Sequence, residues 1–224
     1  MNSNNRLRIF NPGVNPGHCV VYWMISARRT QWNHGLEHAI NIANENNLPL
    51  VVVDPLAINH GWVNDRSHAF IIQGMADNRR AFTDSPITYV PYVETELNEG
   101  KGLMSQWMDN AQVLVIDDFP TYYPRKVLEI AISIGKCEIH CVDSNGFIPF
   151  RSEERAFTTA YSLRRHLHKT ILTHMQGFPH SDPISLGDKL PRIDQRIVLD
   201  VFSHSNTSVT SEDFLDNVSQ GKEL

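Results

Sequence analysis

Two adjacent arginines, Arg28 and Arg29, follow a short apolar run ending at Met24-Ile25, and Trp32-Asn33 come directly after them. A guanidinium offers a planar fork for carboxylates and phosphates and stacks on aromatic rings. Trp32 supplies one face of a slot for a flat ring. Farther along, Asp54, Asp117-Asp118-Phe119 and Asp143 stand at the ends of apolar segments. Carboxylates in such places bind ribose hydroxyls or a ring N–H, but they also cap helices and close turns. Arg28 and Arg29 therefore reach a ligand, point to solvent, or pair with Asp54, Asp117 or Asp118.

Other chemistry-bearing patterns are weaker. His34-Gly35-Leu36-Glu37-His38 matches HxxEH, an inverted zinc-peptidase pattern. Its histidines fall on one helical face, but no third ligand accompanies them and a glycine sits inside the motif. Arg164-Arg165-His166-Leu167-His168-Lys169 is a basic run, which reads as a solvated helix face or as a place for a partner or a phosphate. Cys19, Cys137 and Cys141 contain no CxxC pair and read as reduced core thiols, in line with a cytoplasmic location. Trp23, Trp32, Trp62 and Trp107 are scattered and read as core or core-edge residues. There is no GxGxxG, no GxxxxGK[ST] and no GxSxG, so the usual phosphate cradles and the nucleophile elbow are absent.

The elements that would position these residues alternate regularly. Strands are expected at Cys19–Met24, Leu48–Val53, Ile87–Val93, Val113–Ile116 and Cys137–Val142. Helices are expected at Trp32–Asn47, from Asp65 (as cap) to about Phe82, at Gly102–Ala111, at Pro124–Ile134 closed by Gly135, and at Glu153–Met175. The strands are continuous apolar runs, as a parallel sheet covered on both faces requires. The expected fold is α/β: a Rossmann-like, doubly wound five-stranded parallel sheet of order 3-2-1-4-5, with helices on both faces. Its switch point would set Met24–Asn33 opposite Asp117–Phe119 across one crevice. Residues 1–17, with two Asn-Pro-Gly turn signals, read as a loop. Residues 18–175 read as the domain, and residues 176–224 as an irregular linker with one or two short helices.

Hydrophobic residues make up 41% of the 224 residues and the net charge is −5. That is enough for one core, and it excludes a chain-wide nucleic-acid-binding surface; a basic surface would have to be local. No run of about 18 apolar residues marks a membrane span, and the N-terminus has no signal-type apolar stretch.

Five pieces in one order resemble the N-terminal α/β domain of DNA photolyases and cryptochromes, most closely the class II cyclobutane-dimer photolyases. They are Tyr22-Trp23-Met24 with Arg28-Arg29 and Trp32-Asn33; Asp65-Arg66; Gly100-Lys101-Gly102-Leu103; Val115-Ile116-Asp117-Asp118-Phe119-Pro120; and Val142-Asp143-Ser144-Asn145-Gly146 with Ile148-Pro149. Thr159-Ala160-Tyr161 with Arg164-Arg165 resembles the helix leading out of that domain. The resemblance implies an optional antenna, a deazaflavin or a folate. Met24, Arg28, Arg29, Trp32, Asn33, Asp117, Asp118 and Phe119 are the expected ligand-binding residues. It also implies that FAD, the repair reaction and direct DNA contact belong to a helical domain not expected within these residues. The chain is thus expected to lack photolyase activity alone. It would serve as an antenna-type domain, as an interaction module for a separately encoded FAD-binding subunit, or as a generic nucleotide-binding domain.

Overall fold

The computed structural model describes residues 5–13, 16–58, 64–153, 155–175, 177–205, 214–215 and 217. Trp62 lies outside the described residues, as does most of the polar tract that follows Ser203. Six strands form one sheet: β1 (Leu7–Phe10), β2 (Cys19–Trp23), β3 (Leu50–Leu56), β4 (Thr88–Val93), β5 (Ala111–Asp117) and β6 (Glu138–Val142). Their order is β1-β6-β5-β2-β3-β4. All neighbouring pairs are parallel except β1 with β6, where Leu7 faces Val142 and Phe10 faces Ile139.

The sheet differs in strand count and order from the five-stranded 3-2-1-4-5 expectation because the N-terminal segment is not all loop. Leu7-Arg8-Ile9-Phe10 adds an antiparallel strand to the outer edge of β6. The backbone groups of that edge would otherwise lack partners. The five parallel strands alone run β4-β3-β2-β5-β6.

The helices are α1 (His34–Asn46), α2 (Asp65–Phe82), α3 (Leu103–Asn110), α4 (Tyr122–Ile134), α5 (Ala160–His174) and α6 (Gln195–Ser205). Strand alternation assigns the two faces. Val20, Tyr22, Val52, Val115 and Val142 point to the α1 face, where Leu36, Ala39, Ile40 and Ala43 meet them. Val21, Trp23, Val53, Ile116, Ile139, Cys137 and Cys141 point the other way, against α3, α4 and α6. All three cysteines are free and buried, and burial pushes each thiol up to about 12. The α2 helix covers the outer strands through Ile72, Met75 and Ala76.

Caps set the helix limits. The side chain of Asn33 accepts from the Leu36 N–H at the start of α1, and Asn47, at φ 51°, closes it. The start of α2 is capped by Asn64 rather than by Asp65: Asn64 and Ser67 form a reciprocal capping box, and Asp65 is the first helical residue. Gly135, at φ 63°, ends α4 as expected.

The segment after Met175 does more than link. A short 3-10 turn at Pro183–Gly187 leads to Leu190, which joins the α1-side core, and α6 buries Val198, Val201 and Phe202 against α3. The α5 helix is shorter than the 153–175 expectation and contains no buried residue.

Candidate functional site

The loop leaving β2 wraps around one side chain. Asp117, at the end of β5, is 2% exposed. Its Oδ2 accepts the backbone N–H groups of Ile25 (3.0 Å), Ser26 (2.7 Å) and Ala27 (3.0 Å), and its Oδ1 accepts the Tyr22 hydroxyl at 2.7 Å. Successive N–H groups turned inward form an anion-binding hollow. Here the protein's own carboxylate fills it. Burial pushes the Asp117 pKa up, against the four donors that favour the anion, and the same burial beside Asp117 drives the Tyr22 hydroxyl well above its ordinary value.

Most of the other expected crevice residues are also engaged internally. Arg28 pairs with the buried Asp54 and donates to the Pro55 carbonyl at 2.6 Å. Asp54 also accepts from the Tyr89 hydroxyl at 2.7 Å. Asp118 ties β1 to the loop after β6 by accepting from Arg8 (3.0 Å) and Arg151 (3.1 Å). Asp143 accepts from the backbone N–H groups of Asn145 and Phe150. Met24 is fully buried. Asn33 donates to the carbonyls of Ala27 (2.9 Å) and Arg29 (2.8 Å), fixing the loop that precedes its own helix. Phe119 meets Phe150 edge-on.

Arg29 and Trp32 are different. They line a cavity of about 410 Å³ on the α1 side of the strand ends. The loop after β6 contributes Ser144, Gly146 and Phe147, the end of α5 and the turn beyond it contribute His174 and Phe178, and Arg6 and His34 complete the wall. Trp32, at φ 50°, holds a left-handed conformation and is half exposed. Phe178 stands edge-on to both Trp32 (6.4 Å) and Phe147 (5.3 Å). Arg6 donates to the carbonyls of Asp143, Asn145, Gly146 and Phe147, so it shapes the β6 loop. Arg29 does the same to Gln31, Trp32 and Ser144. Burial and the two guanidiniums hold His34 down to about 4. The cavity is thus lined by aromatic rings and by cationic side chains.

Six of the eight expected binding residues (Met24, Arg28, Asn33, Asp117, Asp118 and Phe119) do not line this cavity, and Arg6, His34, Ser144, Phe147 and Phe178 were not expected to. Only tertiary folding brings those residues together. The HxxEH residues separate: His34 lines the cavity, Glu37 accepts the His180 backbone N–H, and His38 bonds His140 at 2.8 Å.

A scan against protein-family models finds no match. Three curated relatives share one name. The deoxyribodipyrimidine photo-lyase of Methanothermobacter thermautotrophicus is 29% identical over 161 residues, covering 70% of this chain and 35% of its own. The chain is similar to this photolyase over that stretch. The enzymes of that name from Arabidopsis thaliana and Oryza sativa subsp. japonica are each 24% identical, over 73% and 78% of the chain and 33% and 36% of their own lengths. The photolyase-like chain therefore spans about a third of the length of the relatives it matches. A universal stress protein solved in complex with cAMP aligns with 58% of the chain at 14% identity and a TM-score of 0.35. Among the described residues, no helix is long and apolar enough to cross a membrane.

Proposed function

We propose that this chain is the α/β domain of a photolyase-type protein. It holds a planar aromatic ligand with anionic groups, a deazaflavin or a folate, and does not repair DNA by itself. The 410 Å³ cavity carries this reading. Its size falls within the range of about 300–1,000 Å³ usual for small-ligand sites. Trp32, Phe147 and Phe178 offer faces and edges to a ring, and Arg6 and Arg29 bring positive charge to the lining, where it attracts an anion. The ligand site proposed from the sequence moves accordingly, from the Asp117 crevice to the α1 side of it. Asp117 already fills the hollow of N–H groups after β2, so this reading places no phosphate there.

The test is retention of added deazaflavin or folate through gel filtration, read by near-UV and blue absorbance and by fluorescence. Retention by the wild type and a loss of about tenfold in affinity for Trp32→Ala are expected. Failure to retain either compound overturns the antenna reading. Tightly held FAD on the lone chain, or repair of irradiated oligonucleotides by it, overturns the claim of inactivity alone.

A second reading, docking of a separately encoded FAD-binding helical partner, draws support from α5. This helix buries nothing and exposes Tyr161, Leu163 and Leu172. DNA would then be met only through that partner. Co-purification of a flavoprotein, lost on Leu172→Glu, is the expected result; its absence from a native pull-down counts against the reading.

A further inference from the structure

A second cavity, of about 300 Å³, opens beside α5 and is lined by Arg155, Tyr161, Ser162, Arg165, His166 and Lys169. It shares no lining residue with the first. Tyr161, Arg165 and Lys169 follow at four-residue spacing and so occupy one face of the helix. Ser162 and His166 form the adjoining row. Arg155 comes from the loop before the helix, and its guanidinium lies 4.7 Å from the centre of the Phe157 ring. That ring in turn stands 5.1 Å from His166. The Arg165 guanidinium lies 6.0 Å from the centre of Tyr161. Aromatic contacts thus orient two of the cations.

Charge decides what such a cavity takes. Among the described residues, the carboxylate at ion-pair distance from its wall is Glu153, 3.2 Å from His166 Nε2. Arg155, Arg165 and Lys169 have no carboxylate at that distance among the described residues. Three like charges gathered where the described residues place one carboxylate, Glu153 on His166, repel one another, and an anion bearing several acceptor oxygens relieves that repulsion. The concentration is local, since the chain as a whole carries a net charge of −5. A volume at the low end of the ligand-pocket range suits a small molecule rather than a strand.

We propose that this cavity binds a small phosphate ester, with Arg155, Arg165 and Lys169 on the phosphate oxygens and Tyr161 against the attached group. The site is independent of the ligand proposed for the first cavity. Calorimetric titration with pyrophosphate, AMP and a short single-stranded oligonucleotide tests it. Pyrophosphate and AMP should each bind at one site. The double variant Arg165→Gln/Lys169→Gln should weaken both by about tenfold or more, while its urea midpoint and its retention of deazaflavin or folate stay as in the wild type. Both side chains are exposed, so the variant should fold. No heat with any probe at low ionic strength, or equal binding by wild type and variant, overturns the proposal. Tight oligonucleotide binding with none for AMP or pyrophosphate also overturns it, in favour of a strand-binding face.

Discussion

Asp117 shows how a chemically loaded residue type can spend its oxygens on its own backbone and on a neighbouring hydroxyl. The sequence placed it at the end of β5, at the mouth of a crevice. What it could not convey is that the loop after β2 closes around it with three N–H groups and a hydroxyl. Asp117→Ala leaves those buried donors unmet and should cost about 3 kcal/mol or more in urea unfolding. Asp117→Asn, which keeps an acceptor oxygen, should cost clearly less. Equal stability of wild type and Asp117→Ala would show that the loop does not depend on this carboxylate. The histidines give a second residue-scale prediction. His34 and His38 are both held down to about 4, mainly by burial, helped by Arg6 and Arg29 at His34 and by His140 at His38. Between about pH 6.5 and 4 the unfolded chain therefore binds more protons than the native one. Stability is full above that window and falls as the pH drops through it. The urea midpoint should decline from pH 7 to pH 4.5, and more shallowly in the double variant His34→Gln/His38→Gln; parallel profiles would contradict the assignment.

At the scale of elements, close backbone approach explains two glycines. A Cβ on Gly17 would lie 2.2 Å from the Ala111 carbonyl carbon and from the Gln112 nitrogen. This is where the β2–β5 register shifts between Cys19 and Val20. Neither chain can yield cheaply, so Gly17→Ala should destabilise by about 3 kcal/mol; an unchanged midpoint would show that the strands can part there. Gly35, which looked like a flaw within a helical motif, lets α1 pass the Tyr22 hydroxyl: an added Cβ would be 2.9 Å from it. The elements that sequence periodicity revealed were the long apolar ones, β2 to β6 and α1 to α4. The strand β1 escaped because Leu7-Arg8-Ile9-Phe10 is short, mixes in arginine and lies beside turn signals. A single edge strand needs only one buried side, and its arginine is used by Asp118. The candidate cavity was legible only in part, since Arg29 and Trp32 are local to one loop while Arg6, Phe147 and Phe178 arrive from distant parts of the chain.

At the scale of the molecule, α6 belongs to the core. Prolines and a polar tract made the segment after Met175 look like a tether, yet Phe202 lies edge-on to Trp107 at 6.3 Å and is 6% exposed. Phe202→Ala should cost about 3 kcal/mol or more, with a matching fall in thermal midpoint. A loss below about 0.5 kcal/mol would return α6 to the status of an appendage. Sheet order carries a last consequence. The outermost strands are β1 and β4. One is short and bears Arg8, and the other carries Pro91, whose ring nitrogen has no hydrogen to offer a neighbour. Crowded copies of this protein meet rims that are poor templates for zipping together, which guards against fibrous clumping during synthesis and storage.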